Sequence, residues 1–139
     1  MHDFEIKEEK LTEDLKNKIF SGFNEYANEI KGYHGIEDPF TFVIYDKEKF
    51  IGIVAYEIVW GALHIKYLHV EKEYRKQGIG TLLMHKVLQF GKDNKLPFIY
   101  VETLNFQAPE FYKKLGFEIE FSRAGFSHNV VFHYLRKYL

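Results

Sequence analysis

The stretch Tyr74–Leu83, YRKQGIGTLL, sets Gly78 and Gly80 around one isoleucine, directly after Arg75 and Lys76 and before an apolar run. Glycines at the mouth of a helix leave backbone N–H groups uncovered, and a helix N-terminus carries partial positive charge. With two cations beside it, such a segment can hold an anionic group such as phosphate. Two familiar phosphate patterns are absent. The dinucleotide motif G-x-G-x-x-G needs glycine where Leu83 stands, and no Gly-Lys-Ser or Gly-Lys-Thr occurs. On residue types alone, the segment is either a phosphate cradle or a flexible glycine loop.

Groups able to move a proton gather in the middle of the chain: Glu57, His64, His69, Glu71 and Glu102. Each has a structural alternative, the histidines in packing and the glutamates on a solvated strand face, and a chain of waters would serve equally as the proton path. Strict strand alternation puts His64, Lys66, Leu68 and Val70 on one face, and Ile65, Tyr67 and His69 on the other. Trp60, Tyr33, His34 and Tyr56 either line a pocket or fill the core. No metal is expected, because the seven histidines show neither H-x-x-x-H nor H-E-x-x-H spacing. The absence of cysteine removes thiolate ligands, disulfides and a cysteine nucleophile.

These residues need a scaffold. A length of 139 residues predicts a single domain, 1–139, around one core. With 46% apolar and 28% charged residues the composition is globular, not disordered. Aromatics at 18% suffice for a core and leave rings for a pocket. A net charge of −1 gives no bulk attraction to nucleic acid or acidic membrane, so neither is an expected partner. The opening MHDFEIKEEK has no apolar leader region, and FIGIVAYEIVW carries Glu57 and is too short to span a bilayer. A soluble, cytoplasmic protein is expected.

FEIKEE alternates as a short first strand. Thr12 is an N-cap, with Glu13 and Asp14 in the first turn of a helix over about residues 13–30, whose apolar stripe includes Leu15, Ile19, Phe23 and Ile30. KGYHGIEDP is a loop. FTFVIYD and FIGIVAYEIVW form a hairpin about DKEK, and LHIKYLHV is the next strand. Ile79, Leu82, Leu83, Val87 and Phe90 have helical period up to about Asn94. FIYVETL is a buried strand, Pro109 opens a short helix PEFYKKL that leaves through Gly116, and FEIEFS and VVFHYLRKYL close as a hairpin. The order β-α-β-β-β-α-β-α-β-β is an α/β domain with a mixed sheet.

RKQGIG fits Arg/Gln-x-x-Gly-x-Gly/Ala, and NFQAPEFYKKLGF fits N-x-x-A-x-x-x-Y-x-x-x-G-F through Asn105, Ala108, Tyr112, Gly116 and Phe117. Both patterns resemble those of the GNAT superfamily of N-acetyltransferases, and both lie in the strand–helix contexts that family uses. The element order resembles its fold from end to end: a mostly antiparallel, twisted mixed sheet flanked by helices, with two splayed parallel central strands. The second motif looks closest to small single-domain bacterial members.

The resemblance implies acetyl-CoA as cosubstrate, set between the strands LHIKYLHV and FIYVETL. Backbone of Leu68, His69 and Val70 would pair with the pantetheine as an added strand would. The pyrophosphate would lie on N–H groups from Lys76, Gln77, Gly78, Ile79, Gly80 and Thr81, with Arg75 or Lys76 adding charge. Asn105 would fix the strand end or a CoA amide, or else cap the helix at Pro109. The implied reaction is direct attack of a primary amine of a small molecule on the thioester in a ternary complex. A strand N–H at or beside Val70 would donate to the oxyanion, and Tyr112 would protonate the departing thiolate. That transfer is uphill at ordinary pKa values, so local tuning of the tyrosine would matter. The loop KGYHGIEDP would wall the acceptor side. The alternatives are a protein or peptide N-acetyltransferase and a non-catalytic acetyl-CoA sensor, and the C-terminal hairpin offers an edge for a homodimer.

Overall fold

The computed structural model describes residues 4–37 and 39–139. They fall into two units, one ending at Gly35 and the other running from Ile36 to Leu139. In the first, helix α1 spans Glu13–Lys31. Thr12 Oγ1 accepts from the Leu15 N–H at 3.2 Å, and Gly32, at φ +69°, ends the helix by donating to the Asn28 carbonyl. The strand expected at FEIKEE is not formed: residues 4–12 carry no strand. Phe4 and Ile6 alone supply its apolar alternation, too little to offset the cost of ordering the backbone. Of the loop KGYHGIEDP, Asp38 lies outside the described residues, as do residues 1–3 of the opening segment.

The second unit is a six-stranded sheet with helices and follows the expected order. It contains β1 Phe40–Asp46, β2 Lys49–Val59, β3 Ala62–Val70, α2 Ile79–Asp93, β4 Phe98–Leu104, α3 Pro109–Lys114, β5 Glu118–Arg123 and β6 Phe132–Tyr138. The strand order is β1-β2-β3-β4-β6-β5. Every pairing is antiparallel except β3 with β4, so the last hairpin inserts β6, not β5, beside β4.

One face of the sheet is buried. Val54, Leu63, Ile65, Ile99, Val101 and Leu135 meet Leu83, Met84, Val87 and Leu88 of α2. Those four positions recur at one, three and one residue, a helical stripe, and each fully buried aliphatic contributes about 1.5–3 kcal/mol. Tyr56 joins this core, where its ring stacks on Phe40 and Phe42, so it fills space there.

The parallel pair is short. Leu63, His64 and Ile65 pair with Ile99, Tyr100 and Val101, and pairing stops there. Beyond that point β3 stays with β2 as far as Val70, while β4 stays with β6 as far as Leu104. The cause lies in β3. Ala55 faces Tyr67 and Tyr56 faces Ile65, which leaves Lys66 as an extra residue, and such a bulge bends and twists its strand. The bulge also shifts the alternation. Leu63 and Ile65 face the core before it and Leu68 packs against the core after it, so His64 and Leu68 do not share a face. Strict alternation across Lys66 was therefore an incorrect expectation.

Candidate active site

The parted strands open towards the glycine segment 74–83. Glu71 closes β3 by donating its N–H to the Ile51 carbonyl, and a single turn at Lys72–Tyr74 reverses the chain. Lys76 (φ +63°) and Gly78 (φ +79°) are left-handed, and Gly78 caps α2. Left-handed and helical residues in succession turn neighbouring N–H groups to one side, a concavity suited to an anion. The first N–H groups of α2 have no intrahelical acceptor. A Cβ added at Gly78 would meet nothing within 4 Å. At Gly80 it would lie 3.3 Å from the Phe111 ring, so this glycine lets α3 approach.

Val70, residues 78–81, and Phe111 and Lys114 of α3 line one cavity of about 380 Å³, with Tyr74, Arg75 and Lys76 from the loop. Arg75 Nε donates to the Val70 carbonyl at 3.0 Å, which holds the guanidinium beside the cavity. Three cations and an exposed helix start fit the diphosphate of a coenzyme A, and the space at Gly78 is what a close backbone approach needs. Leu68 and His69 lie on the parted length of β3, beyond its last pairing with β4. The Gln77 side chain is turned away, donating to the Glu73 carbonyl at 3.3 Å.

Asn105 fixes the end of its strand. Its Oδ1 accepts from the Val131 N–H at 3.0 Å and its Nδ2 donates to the Asn129 carbonyl at 3.3 Å, while the backbone donates to the Val131 carbonyl at 2.9 Å. It does not cap α3; the Ala108 N–H that opens that helix donates to Thr103 Oγ1 instead. Tyr112 packs edge-on against Phe111 and Phe117, with ring centroids 5.1 and 5.5 Å apart. Burial pushes its hydroxyl up to about 12. The tuning runs against easy proton release.

Among the five candidate proton acceptors the structure assembles three. His64 Nδ1 lies 3.1 Å from Glu57 Oε1 and its Nε2 lies 2.7 Å from Glu102 Oε2. Glu57 and His64 are register partners on β2 and β3, and Tyr100 faces His64 from β4 with its ring stacked at 4.5 Å. Lys66, the bulged residue, reaches Glu57 at 3.5 Å. The cluster sits on the sheet face away from α2, at the point where β3 and β4 part. Both ring nitrogens face carboxylate oxygens, so a neutral ring, with one N–H, can donate to only one glutamate, and the capacity to take a proton belongs to the three side chains together. His69 and Glu71 instead form an exposed pair at 3.6 Å. Tyr33 and His34 belong to the first unit, where their rings lie 5.3 Å apart.

Sequence reasoning named each member of the Glu57–His64–Glu102 cluster without joining them. The joining depends on the three-strand register, for which one chain carries no motif. Phe111 and Lys114 were missed, although they flank Tyr112 on α3 at a spacing of three, a helical signal that they share a side. Among the described residues no group of three or more His, Cys, Asp or Glu is placed to hold a metal ion, and no helix is long and apolar enough to cross a membrane.

A sequence model of the acetyltransferase (GNAT) family matches residues 8–117. Streptothricin acetyltransferase A of Bacillus subtilis is 31% identical over 113 residues, 78% of this chain and 64% of that protein. The chain thus spans under two thirds of that relative's length. The crystal structure of an acetyltransferase from Bacillus cereus superposes with a TM-score of 0.80 at 26% identity, over 96% of this chain and 98% of that one. An Elizabethkingia anophelis GNAT family acetyltransferase, crystallised with acetyl-CoA bound, superposes with a TM-score of 0.62 at 21% identity, over 71% of this chain and 75% of that one.

Proposed function

Because this chain belongs to the acetyltransferase (GNAT) family, we propose that it transfers the acetyl group of acetyl-CoA to a primary amine of a small molecule, by direct attack in a ternary complex. The observation that carries the reading is the parting of β3 and β4 after three residue pairs, directly above the glycine cradle at 76–81. A relative named for streptothricin, a small molecule, supports the acceptor class.

Acetyl-CoA supplies a thioester carbonyl as the acyl donor. The cradle N–H groups, with Arg75, Lys76 and Lys114, hold the diphosphate. The unpaired edge of β3 from Leu68 to Val70 offers backbone groups to an extended ligand arm, as a sheet edge does to an added strand. An amine attacks only after losing its proton, and the Glu57–His64–Glu102 cluster takes it. Tyr112 donates a hydrogen bond to the departing sulfur.

The test is turnover of acetyl-CoA, followed by thiol release, across amines, polyamines, amino acids and peptides. Release with a small amine supports the reading. Binding of acetyl-CoA with no release for any amine would leave the sensor in its place, and release with peptides alone the peptide enzyme.

A further inference from the structure

On the sheet face away from α2, next to His64, the structure holds a second cavity of about 380 Å³ that the chemistry above does not use. Trp60 of the β2–β3 turn, Phe98 and Tyr100 of β4 and Tyr134 of β6 line it. The charged groups in its wall are Arg136 and Glu120, and they are bonded to each other. The Arg136 guanidinium is further held over the Phe98 ring at 4.9 Å and the Tyr138 ring at 4.6 Å. The cleft is therefore aromatic and electrically balanced, with no carboxylate left over for a second cation.

Two observations tie the cleft to the acceptor. First, Tyr100 belongs to both: its ring lines the cleft and stacks on His64 at 4.5 Å with planes 16° apart. The cleft starts where the proton acceptor ends. Second, Trp60 has φ +47° and Gly61 φ +81°. Two-residue hairpin turns with both residues left-handed favour Asn, Asp or Gly at the first position, and a bulky residue there is an outlier. The turn tolerates a strained tryptophan, and the residue, which lines the cleft, stays 52% exposed. Strain of this kind gathers where a side chain is needed for binding.

We propose that this cleft receives the body of the acceptor, and that the acceptor is a primary amine carried on an aromatic or similarly flat apolar group, its nitrogen reaching past Tyr100 to His64. The assignment rests on the acetyltransferase reading and names its substrate class. A ring would stack between Tyr100, Tyr134 and Trp60, as aromatic pairs prefer. A diamine of similar length would bring an uncompensated charge against apolar walls.

Trp60 is the single tryptophan in the chain, so its emission reports on the cleft without any turnover. The experiment titrates the whole protein, with CoA present and absent, with 2-phenylethylamine, 1,4-diaminobutane and a short peptide beginning in phenylalanine, and measures kcat/KM for each with acetyl-CoA. The expected result is a saturable change in Trp60 emission with phenylethylamine only, and a kcat/KM for it at least tenfold above that for the diamine. Tyr134→Ala should raise KM for phenylethylamine at least tenfold, leave kcat within twofold, and retain the rise in melting temperature with acetyl-CoA. A silent tryptophan, or a preferred diamine, overturns the proposal. A tenfold preference for the peptide overturns it in favour of a protein amino terminus. Loss of the acetyl-CoA melting shift in the unaltered protein would instead sink the underlying reading, while the Trp60 titration still judges the cleft.

Discussion

His64 Nε2 and Glu102 Oε2 stand 2.7 Å apart across the point where β3 and β4 stop pairing. Neither strand alone brings them together; the contact exists because the last paired residues, Ile65 and Val101, hold the register one step short of the opening. Glu57 on β2 completes the cluster at 3.1 Å.

His64→Ala should lower kcat by about 10²–10⁴, the range of general acid–base catalysis. The acetyl-CoA melting shift should persist. Imidazole in solution should restore part of the rate, which a purely structural histidine would not allow. Glu102→Gln should also slow the reaction, because it removes one of the two carboxylates that share the ring protons of His64. Unchanged kcat in both variants would move the proton path to water.

Gly78 separates backbone from charge. Its φ of +79° strains any replacement, yet a side chain there meets open space. Asn and Asp tolerate the left-handed region comparably. Gly78→Asn and Gly78→Asp should therefore lose similar stability, about 1 kcal/mol. Gly78→Asp should weaken CoA binding much further, because it sets a carboxylate where the diphosphate lies. Equal CoA affinities, measured by calorimetry, would remove the diphosphate from this site. Gly80 is a poorer probe, since its replacement also pushes on Phe111.

Ligand-dependent melting should follow the same chemistry. Acetyl-CoA at 100 times its Kd stabilises by about 2.7 kcal/mol, a shift on the order of 10 °C for a chain of this size. NAD and ATP should shift it less, since neither the dinucleotide nor the P-loop pattern is present. Equal shifts with all three would count against the cradle.

The sequence was informative where the signal is local. Thr12 capping α1, Gly78 opening α2, Pro109 opening α3 and the alternation of FIYVETL each need only a few neighbouring residues. What was left open or misread has a different cause. The phase of β3 depends on Lys66 having no partner on β2, and the use of Asn105 depends on residues 129–131. The Glu57–His64–Glu102 cluster depends on three strands in register. These are facts about pairing between distant segments, and no residue type at Lys66 or Asn105 announces them. The first strand failed for want of partners: FEIKEE has the alternation of a strand, but only two apolar side chains.

Tyr112 is where burial and chemistry pull in opposite directions. Its hydroxyl is raised to about 12 by desolvation, against about 10 for an unfolded tyrosine. Transfer of its proton to a thiolate of conjugate-acid pKa about 8.5 is then uphill by roughly 3.5 units, near 5 kcal/mol. Tyr112→Phe should therefore cost nearer the lower end of the acid-catalysis range, about 10² in kcat, with acetyl-CoA affinity little changed. The loss should shrink for an acyl donor with a more acidic thiol. The same shift makes a stability prediction. A folded pKa above the unfolded one stabilises the fold fully below pH 10, and that stability is lost as pH rises from about 10 to about 12. Two units correspond to about 3 kcal/mol. Denaturant melts of the two proteins should run parallel up to pH 10. Above it the wild type should lose stability relative to Tyr112→Phe, which has no proton to release. If the difference between them stays flat to pH 12, the hydroxyl is not desolvated as described. If affinity for acetyl-CoA collapses with the rate, the hydroxyl holds the cosubstrate and the sulfur finds its donor elsewhere.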